Sequence, residues 1–150
     1  MRSESQFLDI EVGAPAREKL RLRLEVRADG FIKSGELTGV GCRETLALML
    51  EMRKQLEGCL LMNVALPKGN SHSAMLLREL VLRAQGRWQF PYQQEELCHC
   101  RAVTTAKVDA AIIGGCHTVE GVRVTTSANT ACGACRTDIV NVIEYRLKQS

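Results

Sequence analysis

Two cysteine pairs, Cys98 with Cys100 and Cys132 with Cys135, stand 31 residues apart. Four sulfurs spaced this way act together only if they meet in space, so the residues between them must fold back and return the second pair to the first. The chain holds seven cysteines, and Met1 to Ile10 is polar and acidic where a secretory leader would be basic and then apolar. Paired cysteines in a reducing compartment are more often metal ligands than disulfide partners. The expectation is therefore a cytoplasmic protein with a metal centre at Cys98, Cys100, Cys132 and Cys135.

Other function classes are disfavoured by composition. No apolar run approaches the roughly 20 residues of a membrane-spanning helix. The net charge of +3 lies wholly in residues 1–94, outside the cysteine pairs. Arg21, Arg23 and Arg27 are interleaved with Leu20, Leu22, Leu24 and Val26, which reads as the wet face of a strand. With no basic cluster threaded by aromatics, nucleic acid is not an expected partner.

The 150 residues suffice for two small domains. Leu20–Val26 alternates with period two, Ala28-Asp29-Gly30 supplies a turn, and Phe31–Val40 reads as the returning strand. After Gly41, the spacing of Leu46, Leu48, Met49 and Met52 predicts a helix over 43–56. A further strand is expected over 60–66, a turn at 67–70, and a helix over 73–84. Residues 87–96 contain Pro91 and three of the six aromatics, Trp88, Phe90 and Tyr92, and read as a link. Beyond Cys100, Thr104 or Thr105 is a candidate cap for a helix ending at Gly114-Gly115, and Thr118 for a short helix over 119–124. Residues 133–147 are expected to be helical. This is α+β: an N-terminal antiparallel sheet with packed helices over 1–86, a link over 87–96, and a small all-helical domain over 97–150.

Both cysteine pairs precede expected helices, whose N-terminal amides favour a negatively charged centre. A 2Fe-2S cluster held by four thiolates is a net anion, and Ala131, Gly133 and Ala134 leave room for close backbone approach. Four thiolates also make a closed structural zinc site, which would leave a zinc-stabilised interaction module. The single-residue gap between Cys98 and Cys100 leans toward iron, since zinc pairs usually have two to four intervening residues. Nothing in the pattern supplies a base or an open coordination position. No catalytic residue is assigned, and the chain is not expected to be an enzyme in its own right.

Cys98-His-Cys100-Arg-Ala-Val-Thr104, Ala106, Val108, Ala110-Ala-Ile112, Thr118-Val-Glu120, Val122 and Thr130-Ala-Cys132-Gly-Ala-Cys135 together resemble the 2Fe-2S domain of bacterioferritin-associated ferredoxin. That domain also occurs centrally in NifU and in some nitrite reductases. The resemblance implies a helical fold whose loops hold one cluster through Cys98, Cys100, Cys132 and Cys135. The first half resembles the NifU and IscU scaffold at Val12-Gly-Ala-Pro-Ala16, at Asp29-Gly30, at Val40-Gly-Cys42 and at His72. It departs where the family's first cysteine and aspartate are missing and where Ser73 replaces its third cysteine. Only Cys42 survives, so the resemblance implies a degenerate scaffold.

These likenesses imply a role in iron–sulfur cluster assembly or delivery, with a cysteine desulfurase and apo iron–sulfur proteins as partners and Cys42 as a sulfur acceptor or transient ligand. The rival is a ferredoxin-like one-electron carrier docking to a redox partner. A homodimer stays open. Cys42, before a helix, is either a stabilised thiolate or an inert thiol, and the same choice applies to Cys59. Cys116 reads as a small buried hydrophobe and His72 as a loop or capping residue. His99 and His117 receive no role.

Overall fold

A computed structural model describes residues 4–14, 18–131 and 133–148. Contacts divide the chain into two units, one of residues 1–69 with 73–88 and one of residues 70–72 with 89–150.

The first unit opens with β1 (Gln6–Gly13), β2 (Lys19–Val26) and β3 (Ile32–Val40), an antiparallel sheet in the order β1-β2-β3. Alternation sets its two faces. Leu20, Leu22, Leu24 and Val26 are all buried, as are Val12, Ile32 and Leu37 beside them. The arginines between them meet carboxylates across the strands: Arg21 holds Asp9 through two hydrogen bonds of 2.8 and 2.6 Å, and Lys33 reaches Glu25 at 3.0 Å. The expected hairpin is thus present, with its basic residues on the solvated face. β1 was not anticipated, although Leu8, Ile10 and Val12 carry the same period.

Helix α1 (Arg43–Arg53) buries Thr45, Met49 and Met52. Its last residue fastens it to the sheet, because the Arg53 guanidinium donates twice to the Leu37 carbonyl, at 2.9 and 2.7 Å. The strand expected over 60–66 is absent. Leu60 makes one isolated bridge to Phe31, and Leu61–Asn63 form a 3-10 turn. The reason lies in the backbone donors: Asn63 donates to Leu60 and Val64 to Leu61, while Ala65 donates to the Gln55 side chain. Donors satisfied so locally cannot build a ladder. Helix α2 (His72–Ala84) is buried at every residue from Ser73 to Leu82, the polar Ser73, Arg78 and Glu79 included. Its buried Arg78 donates to the carbonyls of Pro67 and Gly69.

In the second unit, β4 (Glu96–Cys98) and β5 (Val103–Thr104) form an antiparallel pair before α3 (Thr105–Ile113), α4 (Val119–Thr126) and α5 (Arg136–Lys148). This corrects the all-helical expectation for 97–150. A helix would turn residues two apart to opposite sides, so a C-x-C pair serving one centre favours extended backbone and a turn. The anticipated caps are in place: the Thr104 hydroxyl accepts from the Lys107 amide at 3.1 Å, and that of Thr118 from Gly121 at 3.0 Å. Val108, Ile112, Val122, Ile139, Val142 and Ile143 supply most of the core. The Arg146 guanidinium, 3% exposed, grips the Asp109 carboxylate at 2.8 and 2.6 Å and so locks α5 to α3.

Residues 89–96, read from sequence as part of a link, pack into this unit. Phe90 and Tyr92 lie against its core, and Phe90 meets Tyr145 edge-on at 6.3 Å between centroids. The Thr105 amide and hydroxyl donate to the carbonyls of Glu95 and Gln94, at 2.7 and 2.6 Å.

Candidate metal centre

Cys98 closes β4 and is buried, while Cys100, in the turn that follows, is exposed. In that turn Ala102 takes a φ of +50° and its amide donates to the His99 carbonyl at 3.4 Å. Cys135 directly precedes α5 and is buried, and its carbonyl accepts from the Ile139 amide at 3.0 Å. Three of the four expected ligands are brought together. Cys98, Cys100 and Cys135 line one cavity of about 110 Å³, with Tyr92 and Asp138 at its wall. Cys132, the fourth expected ligand, lies outside the described residues. Gly133, with a φ of +71°, accepts from the Arg136 amide at 3.2 Å and so makes the turn into α5.

The electrostatics suit a cation-containing centre. Burial, followed by the hydrogen bond and the charge of Cys98, pushes the Cys135 thiol up from 9.0 to about 11. Two neighbouring buried sulfurs resist joint ionisation because each thiolate lacks water and repels the other. Metal ions remove both penalties, so thiols that are hard to ionise alone become ligands together. Loss of hydration raises the Tyr92 hydroxyl as well, helped by Asp138 and Glu96. Its O–H donates to the Glu96 carbonyl at 2.8 Å, pinning the ring beside the cavity. Sequence reasoning missed Tyr92 and Asp138 as wall residues; the position of Asp138 in the first turn after the C-x2-C pair was the available signal.

Elsewhere the cysteines have different surroundings. The Cys59 thiol donates to the Leu60 carbonyl at 3.2 Å, and Cys116 lies 3.3 Å from the Thr125 hydroxyl. His99 Nδ1 is 2.8 Å from Glu96. His117 is half-buried.

Cys42 is exposed and caps α1 in extended conformation, with no side-chain capping bond. Its sulfur lies 3.4 Å from the Thr45 hydroxyl and 3.5 Å from that of Ser73. Those two buried hydroxyls are 2.6 Å apart, so when one donates to the other, the second still has a proton to offer the sulfur. Glu18, in the same unit, also brings a carboxylate oxygen within 4.8 Å of the Cys42 sulfur. His72 is the first residue of α2 and is half-buried. Sequence reasoning missed Glu18. The antiparallel register that pairs Lys19 with Val40 brings Glu18 beside Gly41, where any side chain would come within 2.7 Å of Thr45 and 2.9 Å of Glu18.

Comparison with known proteins bears on the second unit. Residues 97–145 match the family model of the BFD-like [2Fe-2S] binding domain. A 52-residue stretch, 35% of this chain, is 38% identical to part of the nitrite reductase (NADH) large subunit of Escherichia coli (strain K12), of which it covers 6%. Residues 97–145 are thus a BFD-like 2Fe-2S binding domain, and iron–sulfur prevails over zinc as the cofactor. The family match begins at residue 97 and does not touch the sheet.

Proposed function

We propose that this chain, with its BFD-like 2Fe-2S binding domain at residues 97–145, serves iron–sulfur cluster assembly or delivery, and that its first unit is a degenerate NifU/IscU-like scaffold. The observation that carries this reading is the setting of Cys42, whose sulfur lies beside the Thr45 and Ser73 hydroxyls and within 4.8 Å of a Glu18 carboxylate oxygen, chemistry separate from the four cluster cysteines. Cys98, Cys100, Cys132 and Cys135 would hold the cluster, which when bound supplies a one-electron redox centre. Buried Cys98 and Cys135 keep water from their side of it, and exposed Cys100 marks the edge open to a partner.

In this role Cys42 receives sulfur from a cysteine desulfurase. Its thiolate attacks the terminal sulfur of the donor's persulfide, the donor's S–S bond breaks, and the donor cysteine leaves as a thiolate. The net change is one sulfane sulfur moved, with no external oxidant. A hydroxyl of the Thr45 and Ser73 pair steadies the attacking thiolate. No step of catalysis on a small substrate is assigned, and the acceptors are apo iron–sulfur proteins.

A second reading, a one-electron carrier docking to a redox partner, is favoured by the likeness to part of a nitrite reductase subunit. Anaerobic purification with iron and acid-labile sulfide analysis, then transfer of radiolabelled sulfur from a desulfurase, separates the two. Label on wild type but not on Cys42→Ser supports assembly. No label on either, with reversible reduction of the bound cluster, supports electron transfer and ends the first reading.

A further inference from the structure

The two loops that present the cluster cysteines are joined by a side chain outside the ligand set. Arg101, directly after Cys100, donates through Nε to the Thr130 hydroxyl at 2.9 Å. The Thr130 hydroxyl spends its only proton on the Ser127 carbonyl at 2.7 Å, which leaves its lone pairs for the guanidinium. Donor and acceptor roles are therefore fixed along the chain Arg101, Thr130, Ser127. Thr130 lies two residues before Cys132, so the link spans from one ligand pair to the other across 29 residues.

The backbone on both sides of this link is under constraint. Among the described residues, three that are not glycine have positive φ: Ala102 at 50°, Ser127 at 69° and Asn129 at 61°. All three belong to these two loops, and each stands within three residues of an end of the link. Left-handed conformations at residues with a side chain persist only where surrounding interactions over-determine them. Asn129 adds one such interaction, accepting from the Cys135 thiol at 3.9 Å.

We propose that Arg101 and Thr130 are positioning residues that latch the two ligand loops together and thereby set how tightly the 2Fe-2S cluster is retained. The proposal rests on the cluster assignment above. Arg101 makes no ion pair among the described residues, so its charge also remains available to the anionic centre. That gives the two ends separable effects: Thr130 contributes the latch alone, and Arg101 the latch plus a positive charge.

The test uses the full-length protein purified anaerobically, with loss of visible absorption timed against excess iron chelator. Thr130→Val removes the hydroxyl at nearly constant shape and should lose the cluster about fivefold faster, the effect of one lost hydrogen bond. Thr130→Ser should restore the wild-type rate, and Arg101→Gln should lose the cluster at least as fast as Thr130→Val. Reduction potentials separate the two ends: Arg101→Gln should lower the potential and Thr130→Val should leave it near wild type. Melting of the apo-proteins checks that folding is preserved, and Arg101→Gln tests the latch from its other end if Thr130→Val melts early. Wild-type retention in both Thr130→Val and Arg101→Gln would overturn the latch while leaving the cluster assignment intact. Absence of iron and sulfide from the wild type would remove both.

Discussion

Cys42 and Cys135 occupy the same backbone position, directly before the first turn of a helix, yet have opposite surroundings. Cys42 is exposed, flanked by two hydroxyls and a carboxylate. Cys135 is buried beside another cysteine, its thiol pushed up to about 11. A helix N-terminus offers amide donors to either sulfur, so that shared feature does not distinguish them. The neighbours do. One sulfur is supplied with proton donors and water and suits attack on another sulfur; the other ionises with difficulty until a metal takes the place of its proton.

The largest expected effect tests the buried half of this contrast. Cys135→Ser should abolish cluster binding, read as loss of iron, sulfide and visible absorption, whereas Cys42→Ser should keep all three. Loss of the cluster in Cys42→Ser as well would erase the division of labour. Next in size is the fastening of the two helices, each held near its C-terminal end by an arginine. Arg146→Met strands the Asp109 carboxylate and should destabilise the second unit by about 3 kcal/mol. Arg53→Met only frees a carbonyl and should cost the first unit about 1 kcal/mol. Denaturant unfolding of the apo-protein, followed separately in each unit, measures both.

A smaller effect concerns thiol chemistry. At pH 9, alkylation followed by peptide mapping should modify Cys42 well before Cys135 in the apo-protein, since only about 1% of a thiol with a pKa near 11 is ionised there. The sign for stability follows from the same shift. In the unfolded chain Cys135 ionises near 9.0, and in the folded chain only near 11. Its contribution is therefore whole below pH 9 and falls away as the pH rises toward 11. Apo-protein whose second unit melts at the same temperature at pH 8.5 and pH 10.5 would contradict this.

How much of this was legible in the sequence depended on where each interaction lay. The hairpin of Leu20–Val26 with Ile32–Val40 was readable because one buried face imposes a strict alternation. The caps at Thr104 and Thr118 were readable because a capping hydroxyl serves an amide three residues on. The four cysteines declared themselves by spacing, and three of them are found at one cavity. Residues 60–66 deceived because an apolar run does not say where its backbone donors go. Glu18 and the Arg101 to Thr130 link stayed hidden because each depends on partners more than 20 residues away, brought near only by strand register or by loop closure. The short β4–β5 pair was missed because two or three residues are too few to show a period.

Trp88, the single tryptophan, belongs to the first unit, with the Arg83 guanidinium 5.3 Å above its ring. Emission from that ring therefore follows the melting of the sheet and its helices, while the second unit carries its own chromophore whenever iron and sulfide are bound. Each unit is labelled by its own chemistry, and heating one sample at two wavelengths would reveal whether cluster loss and collapse of the first unit are one event or two.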